Sequence, residues 1–162
     1  LDCHSGFGYK DRIWFPYAKS VKPWPAIAEA HALTELFETT YPSHDVYLFE
    51  PQAHSYTTHG DLWDYIYDDY MHHQPDGLYL PLTLEMGSWL WVKKNPRHLL
   101  RYHSLFNPIL PHRHRRILRR HFTLIEFLMS AVRSMPAWAP TTVSDKFHRE
   151  QAALDRWYQA EK

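Results

Sequence analysis

Two short stretches of this sequence carry side chains whose types and settings could do chemistry. Asp2-Cys3-His4-Ser5-Gly6 puts an imidazole at what reads as a strand end and follows it with a hydroxyl, and the glycines at 6 and 8 let a ligand come close to the backbone. Thr83-Leu84-Glu85-Met86-Gly87 sets a carboxylate in an otherwise apolar strand closed by a glycine. A carboxylate so placed is desolvated, and its pKa rises unless a cation or hydrogen bonds meet it. A third candidate is Tyr56, a phenol in the polar run 52–61 ahead of Thr58-His59-Gly60-Asp61-Leu62-Trp63. Each has an ordinary counterpart. With thirteen histidines in the chain, any one of them can be a core imidazole bonded to backbone; an inward glutamate can pair with an arginine; and eleven tyrosines make a loop phenol commonplace.

The elements that must position these groups follow from periodicity. Residues 1–17 read as a strand end, a break at Gly6 and Gly8, and a half-buried aromatic pattern from Ile13 to Tyr17. A helix is predicted over about 25–40, fenced by Pro23, Pro25 and Pro42, with Ala26, Ala30, Leu33 and Phe37 on one face. Val46 to Phe49 reads as a buried strand. A helix follows from Asp61, a plausible N-cap, with Leu62, Ile66 and either Tyr65 or Tyr70 inward. Pro81 interrupts the next apolar run, so its regular strand is Leu82 to Met86. The longest helix is expected over about 115–135, with Ile117, His121, Leu124, Leu128 and Val132 as its inward stripe and Leu118, Phe122, Ile125 and Met129 beside it. A last helix, capped by Ser144 or Asp145, carries Phe147, Leu154 and Trp157. Strands separated by helices, with no hairpin signal, predict an α/β layer architecture in one domain spanning 1–162.

Composition bounds the function classes. The 162 residues are 44% hydrophobic and 16% aromatic, enough for a sizeable core, and 18 basic residues balance 18 acidic ones. Zero net charge argues against a polyelectrolyte as the main partner. The one cysteine, Cys3, rules out an internal disulfide framework and fits a reducing, cytoplasmic setting. No apolar run approaches the roughly 20 residues of a membrane span. A start at Leu1-Asp2-Cys3-His4, without methionine, leads us to expect a piece whose upstream part lies elsewhere.

Taken in order, these stretches resemble the zinc carboxypeptidase family, the carboxypeptidase A-like, funnelin-type metallopeptidases, over the C-terminal half of the catalytic domain and most of residues 1 to about 135. His4-Ser5, followed by Trp14-Phe15-Pro16-Tyr17, is similar to the family's third zinc-ligand segment. Thr83-Leu84-Glu85-Met86 matches the strand of its catalytic glutamate, and Tyr56, Gly60, Trp63 and Tyr65 resemble its substrate-binding tyrosine loop and the helix start that follows. The resemblance implies a mixed-sheet α/β/α fold, incomplete on its N-terminal side, and one Zn²⁺ with His4 as a ligand. It also implies Glu85 as general base, Ser5, Tyr56 and Leu62 as substrate-binding residues, and a peptide or amino-acid amide as substrate. Leu62 would stand at the pocket floor and favour apolar terminal side chains. The sequence contains no HxxE or HxxH, so the remaining zinc ligands, and the arginines that grip the substrate's terminal carboxylate, are expected upstream of residue 1.

Two alternatives stay open. A deacylase of N-acyl amino acids in the same superfamily would share the zinc and the glutamate. A non-catalytic α/β protein would instead use the basic run His112 to His121, where Arg113, Arg116 and Arg120 share a helical face, to touch nucleic acid, although a solvated face with acidic partners is the plainer reading. His72, His73, His112 and His114 lack a ligand pattern and are expected to be solvated or capping.

Overall fold

The computed structural model describes residues 1–5, 8–87, 93, 97, 100 and 110–159; the break expected at Gly6 lies outside them. Four strands, β1 (Asp2–His4), β2 (Asp11–Phe15), β3 (Tyr47–Pro51) and β4 (Thr83–Glu85), form one sheet in the order β1-β4-β2-β3. β1 runs parallel to β4 and β2 parallel to β3, while β2 and β4 are antiparallel, so the sheet is mixed. The helices include α1 (Ile27–Thr40), α2 (Leu62–His73), α3 (Pro111–Arg133), the short α4 (Met135–Trp138) and α5 (Val143–Trp157), and a single 3-10 turn, Gln52–His54, follows β3. The chain is therefore of the α/β class. None of these helices is long and apolar enough to cross a membrane.

Alternation along β2 decides which face does what. Ile13 and Phe15 point to one side, where with Phe49 and Leu84 they meet Phe37 of α1, Leu124 and Phe127 of α3 and Trp157 of α5 in one apolar core. Arg12 and Trp14 necessarily take the other face. The Trp157 indole donates to the Phe49 carbonyl at 2.8 Å and packs edge-on against Phe15. Such a bond satisfies the one polar atom of a large buried ring.

α1 forms as its spacing predicts, with Ala26, Ala30, Leu33 and Phe37 all buried. It lies beside α5, and Glu29 meets Lys146, Glu35 meets Arg149 and Glu38 meets Arg156. These pairs ascend together, so the two helices run in the same direction.

Three readings of helix faces and caps are corrected. In α2 the buried residues are Asp64 and Tyr67, whereas Leu62 and Tyr65 face solvent. The Asp64 carboxylate accepts the backbone N–H groups of Ala18 and Lys19 at 2.9 to 3.1 Å, and this polar demand sets the rotation of the helix. Asp61 does cap α2, accepting from the backbone of Trp63 and Asp64. In α3 the buried stripe is His121, Leu124, Phe127 and Ala131; Val132, Leu118, Phe122, Ile125 and Met129 are exposed, because the sheet covers only one edge of the wide apolar face. α5 is capped by Thr142, two residues before Ser144, its hydroxyl accepting from Asp145 N, and Phe147 is exposed.

Candidate functional site

The strand register gathers the site. His4 and Glu85 are direct partners across the parallel β1–β4 ladder, each the last residue of its strand. Arg12 is the direct partner of Glu85 across the antiparallel β2–β4 ladder. Directly paired residues project from the same face, with Cβ atoms roughly 5 Å apart. Imidazole, carboxylate and guanidinium therefore form one row across three neighbouring strands.

The row opens into a cleft of about 450 Å³ whose lining includes His4, Ser5, Arg12, Trp14, Tyr56 and Glu85. His4 Nδ1 lies 3.2 Å from Glu85 Oε1, and His4 Nε2 lies 2.9 Å from Asp2 Oδ2. Asp2 is itself held: its carboxylate accepts from the Trp63 indole at 3.2 Å and from the Cys3 backbone at 2.8 Å. The imidazole is half open to the cleft while Glu85 is 13% exposed.

The proton affinities follow from these settings. Burial pushes the Glu85 carboxyl above its ordinary value, and this outweighs the opposing pull of His4. Burial works against charge on His4 too, but the hydrogen bond it donates to Asp2 and the nearby charges of Asp2 and Glu85 overcome it, and the imidazole is raised. In a plain ion pair the acid would be lowered; here the acid and the base are both raised, and desolvation of Glu85 is the reason. Asp2 is lowered: the upward effect of burial loses to the hydrogen bonds from His4, Trp63 and Cys3 N–H.

Behind the row, Arg12 pairs with the Glu50 carboxylate and lies 3.3 Å from Ser55 Oγ. The same Glu50 oxygen accepts from the Trp14 indole at 3.0 Å and from the Ser55 hydroxyl at 3.4 Å. Tyr56 stands edge-on to Trp14, with ring centroids 5.7 Å apart. The end of β4 is fixed from the opposite face, where buried Asp11 accepts from Gly87 N at 2.8 Å and forms an ion pair with Arg120, Nε to Oδ2 2.9 Å. Gly87 has no room for a side chain: a Cβ there would sit 2.8 Å from the carbonyl oxygens of Gly8 and Lys10.

Of the residues singled out in the sequence, His4, Ser5, Tyr56 and Glu85 come to one cleft. Leu62 does not; it is 60% exposed on the first turn of α2, outside the set of described residues that line the cleft. Reasoning from sequence missed Arg12 and Asp2. The alternation in Asp11-Arg12-Ile13-Trp14-Phe15 was the available signal for Arg12, and for Asp2 the i, i+2 spacing to His4, which puts both on one face of a strand. The basic run on α3 divides, since Arg120 turns to Asp11 while Arg115, Arg116 and Arg119 stay exposed. His72, His73, His112 and His114 are exposed as expected.

The donor set at His4 fits one vertex of a zinc site. Nε2 is anchored on the Asp2 carboxylate, the kind of contact that fixes the orientation of a metal-bound histidine, while Nδ1 stands 3.2 Å from Glu85 Oε1, so a metal at Nδ1 would take the place of that contact. Among the described residues no group of three or more His, Cys, Asp or Glu side chains is placed to hold a metal ion by itself. No family model, curated protein or solved structure matches this chain.

Proposed function

We propose that this chain contributes the third-ligand strand and the general base of a zinc-dependent metallopeptidase of the carboxypeptidase type, within a carboxypeptidase-like α/β/α layered domain. The observation that carries the reading is the pairing of His4 with Glu85 at adjacent parallel strand ends on one cleft, with Nδ1 and Oε1 3.2 Å apart. Ligands of open α/β sheets bind at the carboxyl ends of strands. The other zinc ligands belong to a part of the domain outside this sequence, which has no HxxE or HxxH.

Zinc bound at His4 would supply Lewis acidity, polarising the scissile carbonyl and acidifying water. The chain's own residues do the rest. Asp2 holds the His4 ring in one orientation. Glu85, desolvated and raised in pKa, takes a proton from the attacking water and hands it to the leaving amine nitrogen. Tyr56, half exposed beside Trp14, closes one side of the cleft against the bound peptide. The substrate is a peptide or amino-acid amide.

The test is Glu85→Gln in the full protein. Zinc content should be retained and hydrolysis of a carboxypeptidase substrate should fall by about 10²–10⁴-fold, the usual contribution of a positioned proton-transfer group. His4→Ala should instead lower zinc content. Near wild-type turnover in the glutamine variant would remove Glu85 from the mechanism.

A further inference from the structure

We propose that the exposed stripe of α3 is a docking seam for a helix of another protein, one that is apolar along the contact and carries acidic side chains where it meets Arg119 and Arg133. α3 packs on the side of Ile13 and Phe15, opposite the cleft side of Arg12 and Trp14, so an occupant here leaves the cleft open.

Leu118, Phe122, Ile125, Met129 and Val132 are all exposed, and they recur at alternating steps of four and three residues. That is the 3.5-residue period of a seam that receives a second helix, here about 21 Å long at about 1.5 Å per residue. Arg115, at the next seam position toward the N-terminus, ends the apolar run. The C-terminal half of the seam is also one wall of an apolar groove of about 450 Å³, closed on its other sides by Leu1, Leu80, Leu82 and Trp138, a shape that the side chains of a helix fill and a flat lipid surface does not. Along the solvent flank of the seam Arg119, Glu126 and Arg133 recur every seven residues, exposed, and form no ion pair among the described residues. This positive, negative, positive order calls for negative, positive, negative on the occupant. A second copy of the chain does not supply it. Paired antiparallel about Glu126, it would set Arg119 against Arg133 and Glu126 against its own counterpart, like charges throughout. Paired parallel, it would offer His114, His121 and Leu128, none of which carries the negative charge that Arg119 and Arg133 need.

The test is fluorescence anisotropy of the full protein with two labelled helical peptides, each three heptads long with leucine along the seam. The first carries Glu, Lys and Glu opposite Arg119, Glu126 and Arg133; the second carries Lys, Glu and Lys. Both orders read the same in either direction, so the orientation of the peptide does not matter. The first should bind at least about fivefold more tightly than the second. Arg119→Glu combined with Arg133→Glu should reverse that preference, a swap that misfolding would not produce. Phe122→Glu and Val132→Glu, at positions 58% and 76% exposed, should each weaken the first peptide while the melting temperature holds, by about tenfold or more. Equal binding of the two peptides, binding of neither, or a preference unchanged by the charge reversal overturns the proposal. So does a wild-type dimer that Val132→Glu dissociates, which would make the occupant a second copy. Binding to phosphatidylserine vesicles that Val132→Glu abolishes, with no preference between the peptides, would make it a lipid surface and overturns the proposal equally.

Discussion

Asp2 and His4 sit two residues apart on one face of β1, and Asp2 Oδ2 lies 2.9 Å from His4 Nε2. A strand only three residues long offers little rigidity of its own, so the ring is oriented by this contact and by the Trp63 indole that in turn fixes Asp2. α2 thus reaches the site through one indole nitrogen.

Asp2→Asn should leave the fold intact and weaken zinc binding by about 10–100-fold, the usual effect of losing the carboxylate behind a histidine ligand. Competition with a chelator of known affinity in the full protein measures it. A change below about twofold would show that His4 needs no such orientation.

Gly87→Ala forces a methyl to within 2.8 Å of two backbone carbonyl oxygens, neither of which can swing away as a flexible side chain would. Overpacking of this kind destabilises by about 1–3 kcal/mol. The displaced segment begins two residues after Glu85 and includes the N–H held by Asp11, so turnover should fall together with the denaturant midpoint. Wild-type stability in this variant would mean that the Gly8–Lys10 backbone yields freely.

The third prediction concerns acid. Burial lowers both His31 and His121 below their ordinary value of 6.5. Their unfolded forms therefore bind protons first as the pH falls, and stability rises with pH through the window just below 6.5. The stability they contribute is fully present above 6.5 and is lost on acidification. His4, which is raised, acts in the opposite sense: its contribution is full below 6.5 and fades as the pH climbs through its raised value. Around His121 stand Asp11, which favours protonation, Arg120 and His44, which oppose it, and Tyr47, whose hydroxyl lies 2.8 Å from Nδ1. His121→Gln should keep that hydroxyl bonded and flatten the fall in melting temperature between pH 7 and pH 5. An unchanged slope would put the acid sensitivity elsewhere.

The sequence made the strands and the α1 helix legible, because Ala26, Ala30, Leu33 and Phe37 recur at a helical period and Val46 to Phe49 is short, apolar and bounded. It also made His4 and Glu85 legible, through their setting at strand ends. What it could not carry was anything decided between elements. Asp64 turned α2 by bonding to a loop more than forty residues earlier, as its separations of 45 and 46 residues from Lys19 and Ala18 record. No local pattern could have foreseen that Leu62 would face solvent. Arg12 was passed over for a related reason: its meaning lies in the antiparallel register with Glu85, and register is a property of the pairing, which neither strand encodes alone.

The register has a consequence for the order of folding. β2 and β3 are joined through α1, but the cleft needs β4 inserted between β1 and β2, and the Gly87-to-Asp11 bond that locks it spans 76 residues. Closing a long loop adds little to the equilibrium cost, since each doubling is worth about 0.6 kcal/mol. It does slow the search, because distant contacts give nothing until the chain has already been brought together. The row of His4, Glu85 and Arg12 thus assembles only when the central strand arrives, and a chain halted before that step would hold a packed α1 and a paired β2–β3 with no chemistry between them.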